Sequence, residues 1–508
     1  MNTDGQYMTK TAVKRVLQTA LNYPGRPALE LHNASYSYLD LTETAAAIAR
    51  SITELNDPCP FVAILADKSF SCYAGILGIM MAGKAYLPIN PRFPAARNLY
   101  MLEKTRTRTI IAGENADEEL DNILDQYPGG MYVIFPEGRN SELSCELIRP
   151  RDPAYLLFTS GTTGKPKGVA VSNSNLSAYL DFMLKTYDFQ PEDRFTQLFD
   201  LTFDLSVHDI FLAWSCGACL CVPGDNSSFA MARFIREKHP TVWFSVPSVV
   251  IMMERMRLLK PEVFPSIRLS FFCGEALLVR SAAAWKKAAS RSRLVNLYGP
   301  TEATIAISRY ELPEDIGQWK MEIGIVSIGK LFEKNVYKIE KENVGDQTGE
   351  LCLAGPQVVD GYFENEEADK ASFFYDEASG KKFYRTGDMV TMDEEGELYF
   401  MGRKDAEVKI SGYRVNLKEI ENVISGYESV GQAVVIYDQA SDRQGIILAF
   451  ILINRQPEFE EKELDAYCRE QLPWYMVPGK FIFVEEFPLN LNGKVDVPAL
   501  KQKYTYGK

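Results

Sequence analysis

A chain of 508 residues with 46% hydrophobic and 24% charged residues has a globular composition. That excludes disordered, collagenous and coiled-coil classes and allows about three domains at roughly 150 residues each. With 55 basic against 68 acidic residues, net −13, the chain is a poor candidate for coating nucleic acid or an anionic membrane, because phosphate binding wants clustered cations.

Met1 to Gln18 is polar, with Lys10 and Lys14 inside an amphipathic pattern, and does not read as a leader. FVAILA (61–66) reads as a strand and Cys72–Ala82 as the helix after it. The apolar runs Phe61–Leu65 and Gly75–Ala82 fall short of the roughly 20 residues that cross a bilayer, so no membrane span is expected. AYLLFT (154–159) is a second strand, followed by a Gly-rich turn and GVAVS. This alternation predicts α/β architecture with helices packed on largely parallel sheets. From Lys404 the texture changes: GRKDAEVKISGYRVNLKEIE (402–421) leads into a compact α+β pattern ending at Lys508. The expected domains are 1–404 and 405–508, with no repeat and no room for a fused carrier or condensation domain. Nine cysteines, an odd number, make no disulfide framework, and a cytoplasmic, reducing compartment is expected.

The strongest local signal is TSGTTGKPKG, Thr159 to Gly168, directly after AYLLF. Glycines and small hydroxyl residues after a strand let backbone amides and side-chain hydroxyls surround phosphate oxygens, with Lys165 and Lys167 adding charge. Pro166 after Lys165 rules out a Walker A loop. A plain flexible surface loop is the other reading. In NLYGPTEATIA (296–306), Tyr298 offers an aromatic face for a base, and the turn presents Thr301 and Glu302. A carboxylate there suits Mg²⁺ on nucleotide phosphates; alone it could equally be a solvated turn residue. YRTGD (384–388) sets Asp388 after a tight turn, placed to grip ribose hydroxyls.

Together these segments resemble the adenylate-forming superfamily of acyl-CoA synthetases, luciferases and nonribosomal peptide adenylation domains. The likeness runs nearly the whole length through MAGKAYLPIN (81–90), FDLSVHD (203–209), FFCGEAL (271–277), GELCLAG (349–355), GRKDAEVKISGYR (402–414) and LNGKVD (491–496). It implies a large N-terminal domain of packed α/β subdomains, a small mobile C-terminal α+β domain, and ATP- and Mg²⁺-dependent carboxylate activation. By this likeness Thr159, Ser160, Thr162 and Lys167 hold ATP phosphates, Thr301 lies near the α-phosphate and Glu302 binds Mg²⁺. Gly274, Glu275, Ala276 and Tyr298 line the adenine site, Asp388 and Arg403 bind the ribose, and Arg414 meets phosphate. Asp405 is the hinge and Lys494 the catalytic lysine. Charge argues for Lys494 too: a carboxylate attacking a triphosphate brings like charges together, and a lysine on a hinged domain offsets them at closure.

Asp204 bears on the acid activated. It lies in the apolar stretch LFDLTFDLSVHDIFLAW, where a buried carboxylate is costly without a cation. A substrate α-ammonium supplies one, as in amino-acid-activating relatives; capping by helix N-terminal amides is the alternative. FDLSVHDI, VWFSVPS (242–248), FFCGEAL and LYGPTEATIAIS are similar to D-alanine–D-alanyl carrier protein ligases, in which a Cys at the position of Cys273 favours the D-enantiomer. The aligned pocket walls are Leu205, His208, Phe244, Phe271, Leu297, Ile305 and Ala306, bulkier at His208, Phe244 and Leu297 than such a ligase would have. Asn90 replaces the Asp usual after AYxPI, and Asn416 an acidic residue. Cys216, Cys219 and Cys221 imitate half a zinc site without a second half, and DEEGEL (393–398) reads as a hairpin tip rather than a calcium loop.

The expectation is an ATP-dependent ligase that makes aminoacyl-AMP from a small amino acid, D-alanine first, and passes it to the phosphopantetheine thiol of a separate carrier protein. An acyl-CoA synthetase for a small acid is the second reading, though no basic patch for the coenzyme A 3′-phosphate is recognisable. A sensor that binds ATP or an amino acid without turnover is the third, disfavoured by the intact Lys494, Glu302 and phosphate loop.

Overall fold

The computed structural model describes residues 11–31, 34–113, 118–127, 130–136, 152–160, 166–224, 228–343, 345–404, 407–438, 445–453, 460–488, 495 and 497–505. Contacts divide the chain into two compact units. The first comprises Met1–Pro91, Asn98–Phe158 and Lys167–Asp405; the second is chiefly Ala406–Lys508, with Arg92–Arg97 and Thr159–Pro166 counted to it.

Among the described residues the first unit holds a nine-stranded, a six-stranded and a five-stranded sheet, with a short two-stranded piece. In the six-stranded sheet the neighbours Phe61–Leu65, Ala85–Ile89 and Thr109–Ile111 run parallel. Every residue of Phe61–Leu65 is buried, the continuous apolar pattern of a strand covered on both faces. The helix Phe70–Met81 begins two residues before the expected Cys72, because the Ser69 hydroxyl accepts from the Cys72 N–H at 3.1 Å and so caps it. Gly78 lets it lie against the helix Tyr38–Glu54: a Cβ there would meet the Ala45 carbonyl at 2.7 Å. The five-stranded sheet is antiparallel, and DEEGE turns between Lys381–Met392 and Leu398–Arg403 as a hairpin with Gly396 at φ +80°.

The nine-stranded sheet positions the site. Its middle strands run Arg293–Tyr298, Leu269–Phe272, Val242–Ser245 and Arg194–Thr196, side by side and parallel. Strands spread in sequence between Arg194 and Tyr298 thereby present their C-terminal ends on one edge, where open α/β sheets bind ligands. Ser308–Glu311 returns antiparallel to Arg293–Tyr298, so GPTEATIAI is the connection between two paired strands. Within it Gly299 faces the returning backbone: an added Cβ would stand 2.6 Å from Ala306 Cα and 3.0 Å from the Ile305 carbonyl oxygen.

In the second unit Val430–Asp438, Ile446–Ile453 and Lys480–Phe483 form a sheet packed with the helices Leu417–Ser425 and Glu461–Gln471. Asn416, at the position where an acidic residue was expected, caps the first of these, its Oδ1 accepting from the Lys418 N–H at 2.9 Å. Asn does this as well as Asp. Asn90 donates its amide to the carboxylate of Asp200; an Asp there would set two carboxylates against each other. No helix among the described residues is long and apolar enough to cross a membrane.

Gly299→Ala is expected to lower folding stability by about 1–3 kcal/mol, the usual cost of forcing a methyl into packed surroundings. Thermal and urea unfolding read this. A midpoint equal to the parent's would show that the turn has room the geometry denies.

Candidate functional site

Strand register gathers the residues expected to wall the acid pocket. Phe244 pairs with Phe271, and Phe272 with Asn296, so Cys273 and Leu297 follow one step further along neighbouring strands. Alternation then sorts the faces. Phe244, Phe271, Cys273, Leu297, Ile305, Ala306 and Leu205 share one hydrophobic cluster, while Trp243, Phe272 and Leu294 belong to another. All seven walls are buried.

Asp204 precedes the helix Leu205–Cys216, and His208 comes one turn later on the same side. Asp204 is 4% exposed and stands at the N-cap, yet its side chain makes no capping hydrogen bond. The helix amides therefore do not account for this carboxylate. The next acid, Asp209, is fully buried, and burial pushes its carboxyl well above the usual range, with Lys68 opposing. His208 is also fully buried, and burial alone brings its imidazole down to about 3, so the ring is neutral near pH 7. Its Nδ1 shares a 2.6 Å hydrogen bond with the Tyr179 hydroxyl. The imidazole packs 4.1 Å from the Phe244 ring and 5.2 Å from Phe271, centroid to centroid. Phe199 lies 4.9 Å behind Phe244, and Tyr187 4.9 Å behind Phe271. Aromatic rings thus crowd around His208 on several sides.

Three residues expected around the nucleoside meet directly. Asp388 accepts from the Tyr298 hydroxyl at 2.6 Å through Oδ2 and from Arg403 Nη1 at 2.7 Å through Oδ1. Strand pairing sets Asp388 opposite Arg403. Burial, with the Asp388 charge adding to it, holds the Tyr298 phenol well above its ordinary value, so it donates. Gly274 takes φ +88°, a left-handed conformation costly for any side chain. Glu275 Oε2 accepts from the Ser248 N–H at 2.9 Å, in the first turn of the helix Pro247–Arg255, and so shapes the surround of Gly274 and Ala276.

Glu302 is fully buried in the short 3₁₀ turn Thr301–Ala303. Its Oε1 accepts from the Tyr362 hydroxyl at 2.6 Å, and the Lys167 ammonium lies 4.7 Å from the centre of the Tyr362 ring. After this turn Thr304 and Ile305 take φ +58° and +70°, strained for β-branched residues. A strap opposite holds them: Thr304 Oγ1 donates to the Gln357 carbonyl at 2.6 Å, and Gln357 Nε2 donates to the Ala306 carbonyl at 2.7 Å. Tyr362, Gln357 and Tyr179 escaped the sequence reading, since no periodicity or motif marks VVDGYF, GPQ or SAYL as anything but packing.

A carboxylate with hydroxyl neighbours is a hard oxygen donor set, which fits Mg²⁺ carried on substrate phosphates. At the head of the phosphate segment Thr159 Oγ1 is buried with no hydrogen-bond partner among the described residues, a hydroxyl that a phosphate oxygen would satisfy. Ser160 is 2% exposed. In the second unit Arg414 Nε donates to Glu407 Oε2 at 2.5 Å across a two-stranded ladder. Thr162, Asp405 and Lys494 lie outside the described residues. Cys219 and Cys221 are buried in the strand Cys219–Val222, and Cys216 ends the preceding helix.

Residues 16–363 match the AMP-binding enzyme family, and residues 419–494 match the AMP-binding enzyme C-terminal domain. The chain is 31% identical over 520 residues to tyrocidine synthase 3 of Brevibacillus parabrevis, covering 99% of this chain but 8% of that protein. It is also 31% identical over 491 residues to the zwittermicin A synthase ZmaJ of Bacillus cereus, covering 94% of this chain and 92% of the relative. The fold superimposes on the Vibrio cholerae adenylation domain AlmE, solved with glycyl-adenosine-5′-phosphate, with a TM-score of 0.87, 30% identity and 99% of both chains covered. The chain belongs to the AMP-binding enzymes: it is an α/β, AMP-forming adenylation enzyme of the kind found in nonribosomal peptide synthesis, working on ATP with Mg²⁺.

Proposed function

We propose that this enzyme activates a small amino acid, of glycine to alanine size with D-alanine the first expectation, and passes it as a thioester to the phosphopantetheine thiol of a carrier protein. The observation that carries this reading is Asp204, a carboxylate placed and buried at the head of the apolar helix Leu205–Cys216. A substrate α-ammonium is a cation that a carboxylate in this position would favour. Size is supported by the packing of His208, Phe244 and Phe271 and by AlmE, whose bound adenylate carries glycine.

In the first half-reaction a substrate carboxylate oxygen attacks the α-phosphorus of ATP. A carbon-bound oxygen joins phosphorus, and pyrophosphate leaves with the electron pair of the broken P–O bond. Mg²⁺, when bound, neutralises phosphate charge. Glu302 would hold it, Lys167 and the hydroxyls of Thr159, Ser160 and Thr162 would orient the phosphates, and Asp388 with Arg403 would fix the ribose. Lys494 would place its charge on the transition state. In the second half-reaction the carrier thiolate attacks the acyl carbon, a C–S bond forms, and AMP leaves.

Pyrophosphate release measured across glycine, D- and L-alanine, serine, leucine, phenylalanine, propionate and a long-chain fatty acid tests the reading. The expected result is preference for glycine or an alanine, with serine the nearest rival because His208 can hydrogen-bond. Leucine, phenylalanine or a long-chain acid ahead of these would overturn the pocket size. Propionate equal to alanine would overturn the amino-acid class. Phe244→Ala is expected to admit longer side chains: one added methylene gains about 1–3 kcal/mol in relative kcat/KM where space is the barrier. An unchanged substrate order in this variant would remove Phe244 from the wall.

A further inference from the structure

Tyr362 lies outside the short motifs singled out in the sequence, yet it touches two residues that lie inside them. Its hydroxyl donates to Glu302 Oε1 at 2.6 Å, and its ring faces the Lys167 ammonium at 4.7 Å. The three side chains are 4%, 0% and 8% exposed respectively. In surroundings this dry, a phenol hydrogen bond to a carboxylate and an ammonium over a ring face each direct geometry strongly.

The tyrosine is itself fixed from several sides. Its N–H donates to Asp369 Oδ1 at 2.6 Å, and the Phe373 ring meets it edge-on with centroids 5.8 Å apart. A bridge pairs its backbone with Val169, and the next N–H, that of Phe363, donates to the Gly168 carbonyl at 2.8 Å. Gly361 leaves space for the Asp369 contact, since a Cβ there would meet that carboxylate at 2.6 Å. Val359 N–H donates to the Glu302 carbonyl at 2.9 Å. One short segment, 359–363, thus grips both the turn bearing Glu302 and the strand bearing Lys167.

We propose that Tyr362 is a positioning residue for the metal-phosphate end of the site: its hydroxyl sets the plane of the Glu302 carboxylate, and its ring sets the Lys167 ammonium. The proposal rests on the reading of Glu302 as the Mg²⁺ ligand and Lys167 as a phosphate contact. A core tyrosine whose hydroxyl had merely found an acceptor would share the burial but leave metal affinity alone. Hydrogen-bond partners behind a metal ligand typically govern metal affinity by about 10–100-fold. Deleting the hydroxyl should therefore loosen the metal, while deleting the ring should also loosen the nucleotide.

The test is equilibrium binding on the full chain, with Mn²⁺ as paramagnetic probe and a non-hydrolysable ATP analogue. Tyr362→Phe is expected to weaken Mn²⁺ binding in the analogue complex about tenfold or more and to leave metal-free analogue binding within about twofold. In pyrophosphate release it should raise the half-saturating Mg²⁺ concentration while the KM for the amino acid stays put. Tyr362→Leu should in addition weaken metal-free analogue binding through Lys167. Parent-like Mn²⁺ affinity in Tyr362→Phe overturns the proposal, as does an equal loss of metal, nucleotide and amino-acid binding. Should Tyr362→Leu unfold, Tyr362→Phe alone decides. Glu302→Gln separates the two levels: Mn²⁺ affinity untouched by that change overturns the Glu302 reading and Tyr362's role with it. Loss in Glu302→Gln with none in Tyr362→Phe overturns only the positioning role.

Discussion

A carboxylate taken out of water favours a cation beside it, and the proposed acid pocket is organised around that requirement. Asp204 is buried at the head of an apolar helix without capping it, and a substrate ammonium beside it would offset the cost of burying its charge. Its surroundings do not blur that demand. Asp209 is pushed towards its neutral form by burial, and His208 is held neutral by the same cause. In the proposed pocket the imidazole, bonded to Tyr179 and flanked by Phe244 and Phe271, restricts volume.

The proposed nucleotide half follows another rule: its charged groups are paired and braced by other protein groups. Asp388 is shared between Tyr298 and Arg403, and Glu302 is held through Tyr362. Such preorganisation matters in phosphoryl chemistry, where alignment and electrostatics supply nearly all the rate. It carries a cost in backbone strain. Thr304 and Ile305 sit at positive φ, and the Gln357 bonds to this turn hold them there. Ile305 and Ala306 are proposed pocket walls and Glu302 the proposed metal carboxylate, so in this reading one turn joins the acid pocket to the phosphate end.

Much of this was legible in the sequence because it depends on local residue types. The continuous apolar run at Phe61–Leu65 announces a parallel strand, and Ser69, overlooked as a cap, accounts for the helix starting earlier than Cys72. The Gly-Pro segment after Arg293–Tyr298 announces the turn between two paired strands, and Asp204 stands out as a charged residue in an apolar stretch. What the sequence withheld were contacts made by topology. Phe244 and Phe271 become neighbours through sheet order, and Tyr362 reaches Glu302 across 60 residues of chain. A lone Tyr or Gln in a connecting segment carries no sign of the partner it will meet, because the partner is chosen by the fold and not by spacing.

The pairing of Asp204 with a substrate ammonium is tested most directly by a double-variant cycle on binding. The ligands are a non-reactive alanyl-adenylate analogue and its desamino counterpart, measured by calorimetry against the parent and Asp204→Asn. A buried charge pair predicts that the ammonium strengthens binding to the parent and that this gain collapses in Asp204→Asn, with a coupling of about 2 kcal/mol or more, within the range of direct contacts. A coupling near zero, with both proteins favouring the amino ligand equally, would contradict the account.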